Sequence, residues 1–417
     1  MAKLVIQGGR QLSGTVNVSG SKNAALKLIA ATILATKPCE IANVPEISDV
    51  EVMLSLIKGV GARIERFGDV VRIDPKHIAY ADPDPKLVGK MRASLVLIGP
   101  YLARFGRIKI PFPGGDLIGK RPIETHIDAF KQMGVSVEKE GKYYIFKCKK
   151  LHFGEIYLNE MSVTATENIL MAASALPGVT TIHVAASEPE IVNLAEFLGR
   201  LGATITGAGS PHISVHGSKR LGGAKIATIP DRLEAGTLLM AAMVTGGSIT
   251  LKNVSPVHLG NILPRLEQIG ARIEIGKNSI SLTTNPLLLA TNLDTRPYPG
   301  FPTDLQSPMA MLLTQATGRS TIFETMYEGR FTYVKGLRSM GAKITVPDPH
   351  NLIITGPKKL SGRKIYTPAD TRAGGAFILA GLAARGTTEI ENLVPIDRAY
   401  ARIDQKLKEL GAAIERV

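Results

Sequence analysis

Hydrophobic and polar positions along this chain fall into a motif that recurs six times. An amphipathic stretch leads to an apolar residue, a Gly, an Ala or Val, and then an alternation rich in β-branched residues. It reads GVGARIERF at 59–67, QMGVSVEKE at 132–140 and RLGATITGA at 200–208. It returns as QIGARIEIG at 268–276, SMGAKITVP at 339–347 and ELGAAIERV at 409–417. A recurrence every 70 residues or so marks the duplication of one supersecondary unit. The Gly suits the position just past a helix C-terminus, where positive φ carries no Cβ strain, and the alternation after it predicts a strand.

Upstream of each motif lies a second, more apolar stretch: 21–35, 91–105, 164–176, 231–245, 303–317 and 370–384. Several are apolar nearly all round, as expected of helices buried at the centre of a domain. Most are followed by Gly and a short strand such as GVTTIHV or GGSITLKNV. Each copy therefore reads strand–helix–strand–helix–strand with the Ala-rich helix innermost, an α/β arrangement. Six copies in 417 residues suggest two domains of three copies each. The chain before the first buried helix must pair with structure already built, and the simplest closure joins it to the C-terminal copies. Residues 22–229 are thus expected to form one domain, carrying a mobile loop at 111–126. Residues 1–21 with 230–417 form the other, which is discontinuous.

Composition narrows the function classes. The net charge of +14 suits either a nucleic-acid binder or an enzyme that gathers anionic substrates. Lys and Arg are spread along the chain without aromatic interleaving, a basic tail or a helix-turn-helix pattern, which argues against nucleic acid. No apolar run is long enough to span a membrane, and the start MAKLVIQGGR lacks a signal-peptide core. Cys39 and Cys148 have no metal-type or CxxC neighbours and read as thiols in a reducing compartment, so the expected location is the cytoplasm. The His residues 77, 126, 152, 183, 212, 216, 258 and 350 form no HExxH or Cys/His cluster, and no metal is expected. No GxSxG or active-site Cys context appears.

The polar residues of the apolar stretches gather near their N-terminal ends: Lys22 and Asn23, Arg92, Glu167, Asp231 and Arg232, Asp304, and Asp370 with Arg372. Asp231, Thr303 and Asp370 suit N-caps. Cations at helix starts oppose the dipole and are not explained by capping, whereas a shared phosphate or carboxylate ligand explains them. The loop PFPGGDLIGKRPIETH at 111–126 pairs flexible glycines with Asp116, Lys120 and Arg121 and reads as a lid. It contains GxxxxGK, but Arg121 stands where a phosphate-binding P-loop needs Ser or Thr.

In order and spacing, several segments resemble the UDP-N-acetylglucosamine enolpyruvyl transferases. They are Gly20–Ala25, Met91–Ser94, Pro113–Asp116 through Arg121-Pro122, Ser187–Ile191, Pro230–Arg232, Phe301–Asp304, Glu328–Phe331, Asp370–Ala373 and Ile396–Arg398. The resemblance spans essentially the whole chain. It implies two inside-out α/β barrels of three repeats each, the EPSP synthase-like fold. It also implies transfer of the enolpyruvyl group of phosphoenolpyruvate to the 3′-OH of UDP-N-acetylglucosamine, with release of phosphate and no cofactor. This is the first committed step of peptidoglycan synthesis, and so bears on cell wall biogenesis, cell shape, cell cycle and division. The implied partners are these two small molecules, with no nucleic acid or membrane, and the implied state is a monomer or weak oligomer.

By the same resemblance Lys22, Arg121 and Arg398 hold the phosphate, Arg330 and Arg372 the carboxylate, and Asn23 and Arg92 help close and orient the site. Asp304 accepts the 3′-OH proton and Asp116 is the lid's proton donor. Arg121, Pro122, Ile123, Glu124, Thr125, Ser162, Val163 and Met326 line the nucleotide pocket, together with Arg92 and Asp304. Most members carry Cys where Asp116 stands, which implies resistance to the epoxide fosfomycin. Glu160, Thr164 and Pro395 are further departures, and the first two lie beside the nucleotide. The sister reading, a 5-enolpyruvylshikimate-3-phosphate synthase, lacks its GNAGTAxRP-type segment here. An inactive paralogue is disfavoured by the presence of Lys22, Asp304 and Arg398.

Overall fold

The computed structural model describes residues 2–417. The chain divides into two compact units. The first comprises Gly20–Gly115 and Arg121–Ile229. The second comprises the described residues up to Ser19, then Asp116–Lys120 and Pro230–Val417. The middle of the 111–126 loop therefore packs with the second unit, although the chain on either side of it belongs to the first.

All six motif glycines have positive φ: 101° at Gly61, 83° at Gly134, 125° at Gly202, 130° at Gly270, 109° at Gly341 and 94° at Gly411. Each ends an outer helix, from Ser48–Gly59 in the first copy to Ile403–Glu409 in the last, and opens a strand. The apolar stretches form the inner helices. Arg232–Val244 is buried from Arg232 to Met243, and Thr371–Ala383 from Thr371 to Leu382. Two inner helices start differently from the sequence expectation. Arg92–Leu97 and Thr303–Leu305 are 3-10 turns that lead into Ile98–Phe105 and Gln306–Leu313. Pro100 and Pro308, early in those α-segments, lack the N–H that a longer α-helix would use. Thr303 is consequently not an N-cap: the cap position is Pro302 and has no side-chain bond.

In five of the six copies the strand after the Gly returns as a hairpin, a strand the alternation does not imply, and in the last copy Lys3–Gln7 takes that place. In the second unit Asn292–Asp294 pairs parallel with Gly318–Phe323, which pairs antiparallel with Asn351–Gly356, and that strand with Lys343–Asp348. Ser13–Asn17 supplies the parallel strand beside Ser248–Lys252. Lys3–Gln7 lies between Thr387–Glu391 and Ala413–Arg416, antiparallel to both. The N-terminal strands thus complete two sheets whose other strands come from the C-terminal half. In the first unit Lys225–Ala227 closes the ring by pairing parallel with Cys39–Ala42. Among the described residues, the sheet formed by Arg107–Pro111, Tyr143–Lys147 and Ser136–Glu140 has three strands, and the five others have four.

Inner helices approach closely where small residues allow it. A Cβ on Gly99 would sit 2.3 Å from the carbonyl oxygen of Asn168. The Asn168 side chain binds across this crossing, accepting from Gly99 N at 2.7 Å and donating to Leu95 O at 3.0 Å. The N-terminal ends of the inner helices, with their charged first turns, carry the candidate chemistry.

Candidate functional site

In the second unit, three expected residues form one network. Asp304, in the 3-10 turn, accepts from Arg330 Nη2 at 2.7 Å on one oxygen. Its other oxygen accepts from Arg372 Nε at 3.1 Å and Nη2 at 3.0 Å. Both guanidinium groups are buried, whereas the Asp304 side chain keeps 30% of its surface exposed. Burial works against the charge of Arg330, but Asp304, Asp370 and Glu324 outweigh it and its pKa is raised. Arg372 is raised in the same way, burial being outweighed by Asp304, Tyr400 and Asp231. Both cations therefore persist at any physiological pH.

Beneath this pair lies Glu324, a wholly buried residue that the sequence reading missed. One of its oxygens accepts from Thr295 Oγ1 at 2.9 Å and Met326 N at 3.0 Å, the other from Thr303 Oγ1 at 2.8 Å. Thr303 Oγ1 in turn accepts from Arg330 Nη1 at 2.9 Å. Glu324 thus orients both Met326 and Arg330. Its only signal in the sequence is a charged residue directly after the strand Gly318–Phe323.

Asp116 and Arg398 meet in the same unit. Asp116 Oδ1 accepts from Arg398 Nη1 at 2.9 Å, and Oδ2 from the hydroxyl of Thr371 at 2.8 Å. The cation against Asp116 is therefore Arg398, far away in sequence. Asp370 caps the helix Thr371–Ala383 by accepting from Arg372 N at 2.9 Å. Burial raises the Asp370 pKa, Arg330 opposes this, and Asp116 and Asp304 add to the rise.

In the first unit, Lys22 opens the helix Lys22–Ala31, whose N-cap Ser21 accepts from Ala24 N. The Lys22 ammonium pairs with Asp49 Oδ2 at 2.6 Å, and both side chains are largely buried. Asp49, in the first turn of Ser48–Gly59, is another residue missed from sequence. Asn23 follows Lys22, half-buried. Arg92 donates to Pro122 O at 2.7 Å and lies 5.8 Å from the ring centroid of Phe112, so it braces the exit of the loop. Arg121 is half-buried there, Ile123 is buried, and Glu124 is exposed at the start of Glu124–Gln132.

The nucleotide-lining candidates of this unit converge around Glu160 and Thr164. Thr125 donates to Glu160 at 3.1 Å. His126 Nε2 bonds the Thr164 hydroxyl at 2.9 Å. Burial, helped by Arg92, lowers the His126 pKa to about 3, so the imidazole is neutral. Ser162 precedes the helix Val163–Ser174, and its carbonyl accepts from the Thr166 hydroxyl at 2.9 Å. Two departures from the family pattern, Glu160 and Thr164, are thus hydrogen-bonded to the segment that follows the loop. Among the described residues, no group of three or more His, Cys, Asp or Glu could hold a metal ion, and no helix is long and apolar enough to cross a membrane.

Residues 6–407 match the family described as EPSP synthase (3-phosphoshikimate 1-carboxyvinyltransferase). Over its full length the chain is 41% identical to a UDP-N-acetylglucosamine 1-carboxyvinyltransferase of Desulfosudis oleivorans, all of which is covered. The protein of that name from Chloroherpeton thalassium is 43% identical, with all of this chain and 97% of the relative covered. Among solved structures, the enolpyruvyl transferase NikO from Streptomyces tendae superposes with a TM-score of 0.90 at 24% identity, over 100% of this chain and 99% of the other. An EPSP synthase from Acinetobacter baumannii gives 0.76 at 20% identity, with both chains covered in full.

Proposed function

The chain belongs to the EPSP synthase family, and from that premise we propose that it is a UDP-N-acetylglucosamine enolpyruvyl transferase of peptidoglycan synthesis. The 3′-oxygen of the sugar attacks C2 of phosphoenolpyruvate while C3 takes up a proton. C3 then loses a proton, the C2–O bond to phosphate breaks, and inorganic phosphate leaves. The product is the enolpyruvyl ether of the nucleotide sugar.

The observation that carries this reading is Asp304 held between two buried arginines while its own side chain stays partly exposed. A carboxylate so placed is a fixed acceptor for a hydroxyl proton, and positioning counts for more than basicity. Arg330 and Arg372 offer a planar donor set suited to the carboxylate of phosphoenolpyruvate. Lys22, Arg121 and Arg398 take the phosphate, and Asn23 and Arg92 orient the closing groups. Asp116 delivers the proton to C3. Arg92, Arg121, Pro122, Ile123, Glu124, Thr125, Ser162 and Val163, with Asp304 and Met326, receive the nucleotide sugar. Free thiols at Cys39 and Cys148 suit a reducing compartment, which supports a cytoplasmic enzyme.

Phosphate release from phosphoenolpyruvate tests the reading. UDP-N-acetylglucosamine is expected to support it and shikimate 3-phosphate to fail; the opposite preference overturns the assignment. Carrying Asp rather than Cys in the lid, the enzyme is also expected to resist fosfomycin, because a carboxylate opens an epoxide far more slowly than a thiolate. Asp116→Cys is expected to stay active and to become inactivated by the epoxide with time.

A further inference from the structure

Asp116 is the first residue of a short segment that is docked as a whole. Leu117 N donates to Ala369 O at 2.9 Å and Gly329 N donates to Ile118 O at 3.0 Å. Ile118 is 2% exposed. Lys120 N donates to Glu328 Oε1 at 2.8 Å. Gly119 passes so close to this carboxylate that a Cβ would lie 2.5 Å from Glu328 Oε2. These bonds deliver the Asp116 carboxylate to one place, where Arg398 and the Thr371 hydroxyl receive one oxygen each. The Asp116 and Arg398 side chains are 13% and 16% exposed, so water screens the pair weakly. Asp370, one residue before Thr371 and wholly buried, sets a like charge beside this carboxylate, which Arg398 and the hydroxyl oppose.

We propose that Thr371 is a positioning residue that clamps Asp116 onto Arg398, so that the lid supplies its own anion to the cation that must engage the phosphate. The inference rests on the assignment of Arg398 to phosphate binding. Before phosphoenolpyruvate engages Arg398 fully, the Asp116 carboxylate has to give way. When phosphate departs, the same carboxylate replaces it. A Cys at 116 has one sulfur and not two oxygens to share between Arg398 and the Thr371 hydroxyl, so the clamp belongs to the combination of Asp116 with Thr371. A hydroxyl donating to an ionised carboxylate is worth more than a neutral hydrogen bond, and its loss shifts the competition toward the external anion.

Calorimetric titration of the whole enzyme with inorganic phosphate reads the clamp without turnover. Thr371→Val is expected to bind phosphate about three- to tenfold more tightly than the unaltered enzyme, the span expected when one such bond stops favouring the competitor. Its KM for phosphoenolpyruvate is expected to fall in the same proportion, whatever happens to kcat. Thr371→Ser, which keeps the hydroxyl, is expected to match the unaltered enzyme in both. Asp116→Asn, which removes the charge, is expected to tighten phosphate at least as much as Thr371→Val, even if it is inactive. Unchanged or weakened phosphate affinity in both Thr371→Val and Asp116→Asn overturns the clamp. An unaltered enzyme that binds phosphate but makes no enolpyruvyl ether from UDP-N-acetylglucosamine overturns the functional assignment instead, and the titration still reads the clamp.

Discussion

Glu167 is wholly buried in the inner helix Val163–Ser174, with Lys27 Nζ 3.5 Å from one oxygen. Burial pushes its pKa from 4.5 to about 8; Lys27 opposes the shift, and Glu190 and Glu188 add to it. The folded protein therefore holds this proton over a range where the unfolded chain has lost it. The resulting stability is complete below pH 4.5 and is lost as pH rises through about 8. Glu167→Gln, which keeps the shape and removes the titration, is expected to melt like the parent near pH 4.5 and several degrees higher above about pH 8. Thermal melts across that range check it, and parallel curves for the two proteins would exclude Glu167 as the source. Asp304 gives the corresponding prediction for activity. Asp304→Asn keeps the side-chain shape but loses the anion between Arg330 and Arg372, so kcat is expected to fall by about 10² or more while UDP-N-acetylglucosamine still binds. A near-normal kcat would remove Asp304 from the role of acceptor. At this scale the sequence was least informative. Asp49, Glu324 and Thr371 are single polar residues whose partners, Lys22, Thr303 and Asp116, come from other copies or other turns of the chain, and no local pattern marks such pairings.

Single elements were the most legible level, because one chemical constraint recurs in each copy. A helix that must turn sharply into a strand needs a residue of positive φ, and the six motif glycines mark those points. What escaped was the return strand of each hairpin. Segments such as Asn351–Gly356 are short and carry no Gly motif of their own, and their pairing is set by neighbours in the sheet. The loop stands out in the sequence by its glycines, but not the division that assigns Asp116–Lys120 to a different unit from its flanks. Gly114 shows what the entry into that segment demands. Its backbone runs so close to Gly89 that a Cβ would sit 1.7 Å from the Gly89 carbonyl oxygen. Gly114→Ala must displace the segment just before Asp116, and a shift of that kind costs roughly a hundredfold in turnover. Gly59→Ala is the control: it ends the helix Ser48–Gly59, has open space at Cβ, and is expected to leave activity unchanged. Steady-state kinetics of the two variants check this, and equal effects would show that the close approach at Gly114 is not limiting.

At the scale of the molecule, the six-fold duplication is interrupted by how the ends of the chain are used. Lys3–Gln7 and Ser13–Asn17 belong to sheets built otherwise from residues after 230. The need for such a closure was readable from sequence, since strands before the first buried helix have no earlier partner. The register was not, because it is set by pairings across almost the whole chain, such as Leu4 with Ile390 and Ile6 with Ile414. Leu4, Ile6 and Leu12 are wholly buried, and each contributes about 1.5–3 kcal/mol that a fragment without them lacks. Removing Lys3–Gln7 also leaves Thr387–Glu391 and Ala413–Arg416 without the strand that joins them. A fragment of residues 230–417 is therefore expected to show no cooperative melt. The chain ends meet in the same sheet, where Lys3 N donates to Val417 O at 2.7 Å and Val417 N to Lys3 O at 3.0 Å. A short Gly/Ser linker from Val417 to residue 2 restores the order 230–417 followed by 2–19 without strain. Of the described residues of the second unit this permuted chain lacks Asp116–Lys120, and it is expected to melt cooperatively, as is a fragment of 20–229, which keeps its three sheets. Circular dichroism melts of the three chains decide it. If residues 230–417 alone melted as cooperatively and at the same temperature as the permuted chain, the N-terminal strands would be ornaments on a finished domain and not its missing parts.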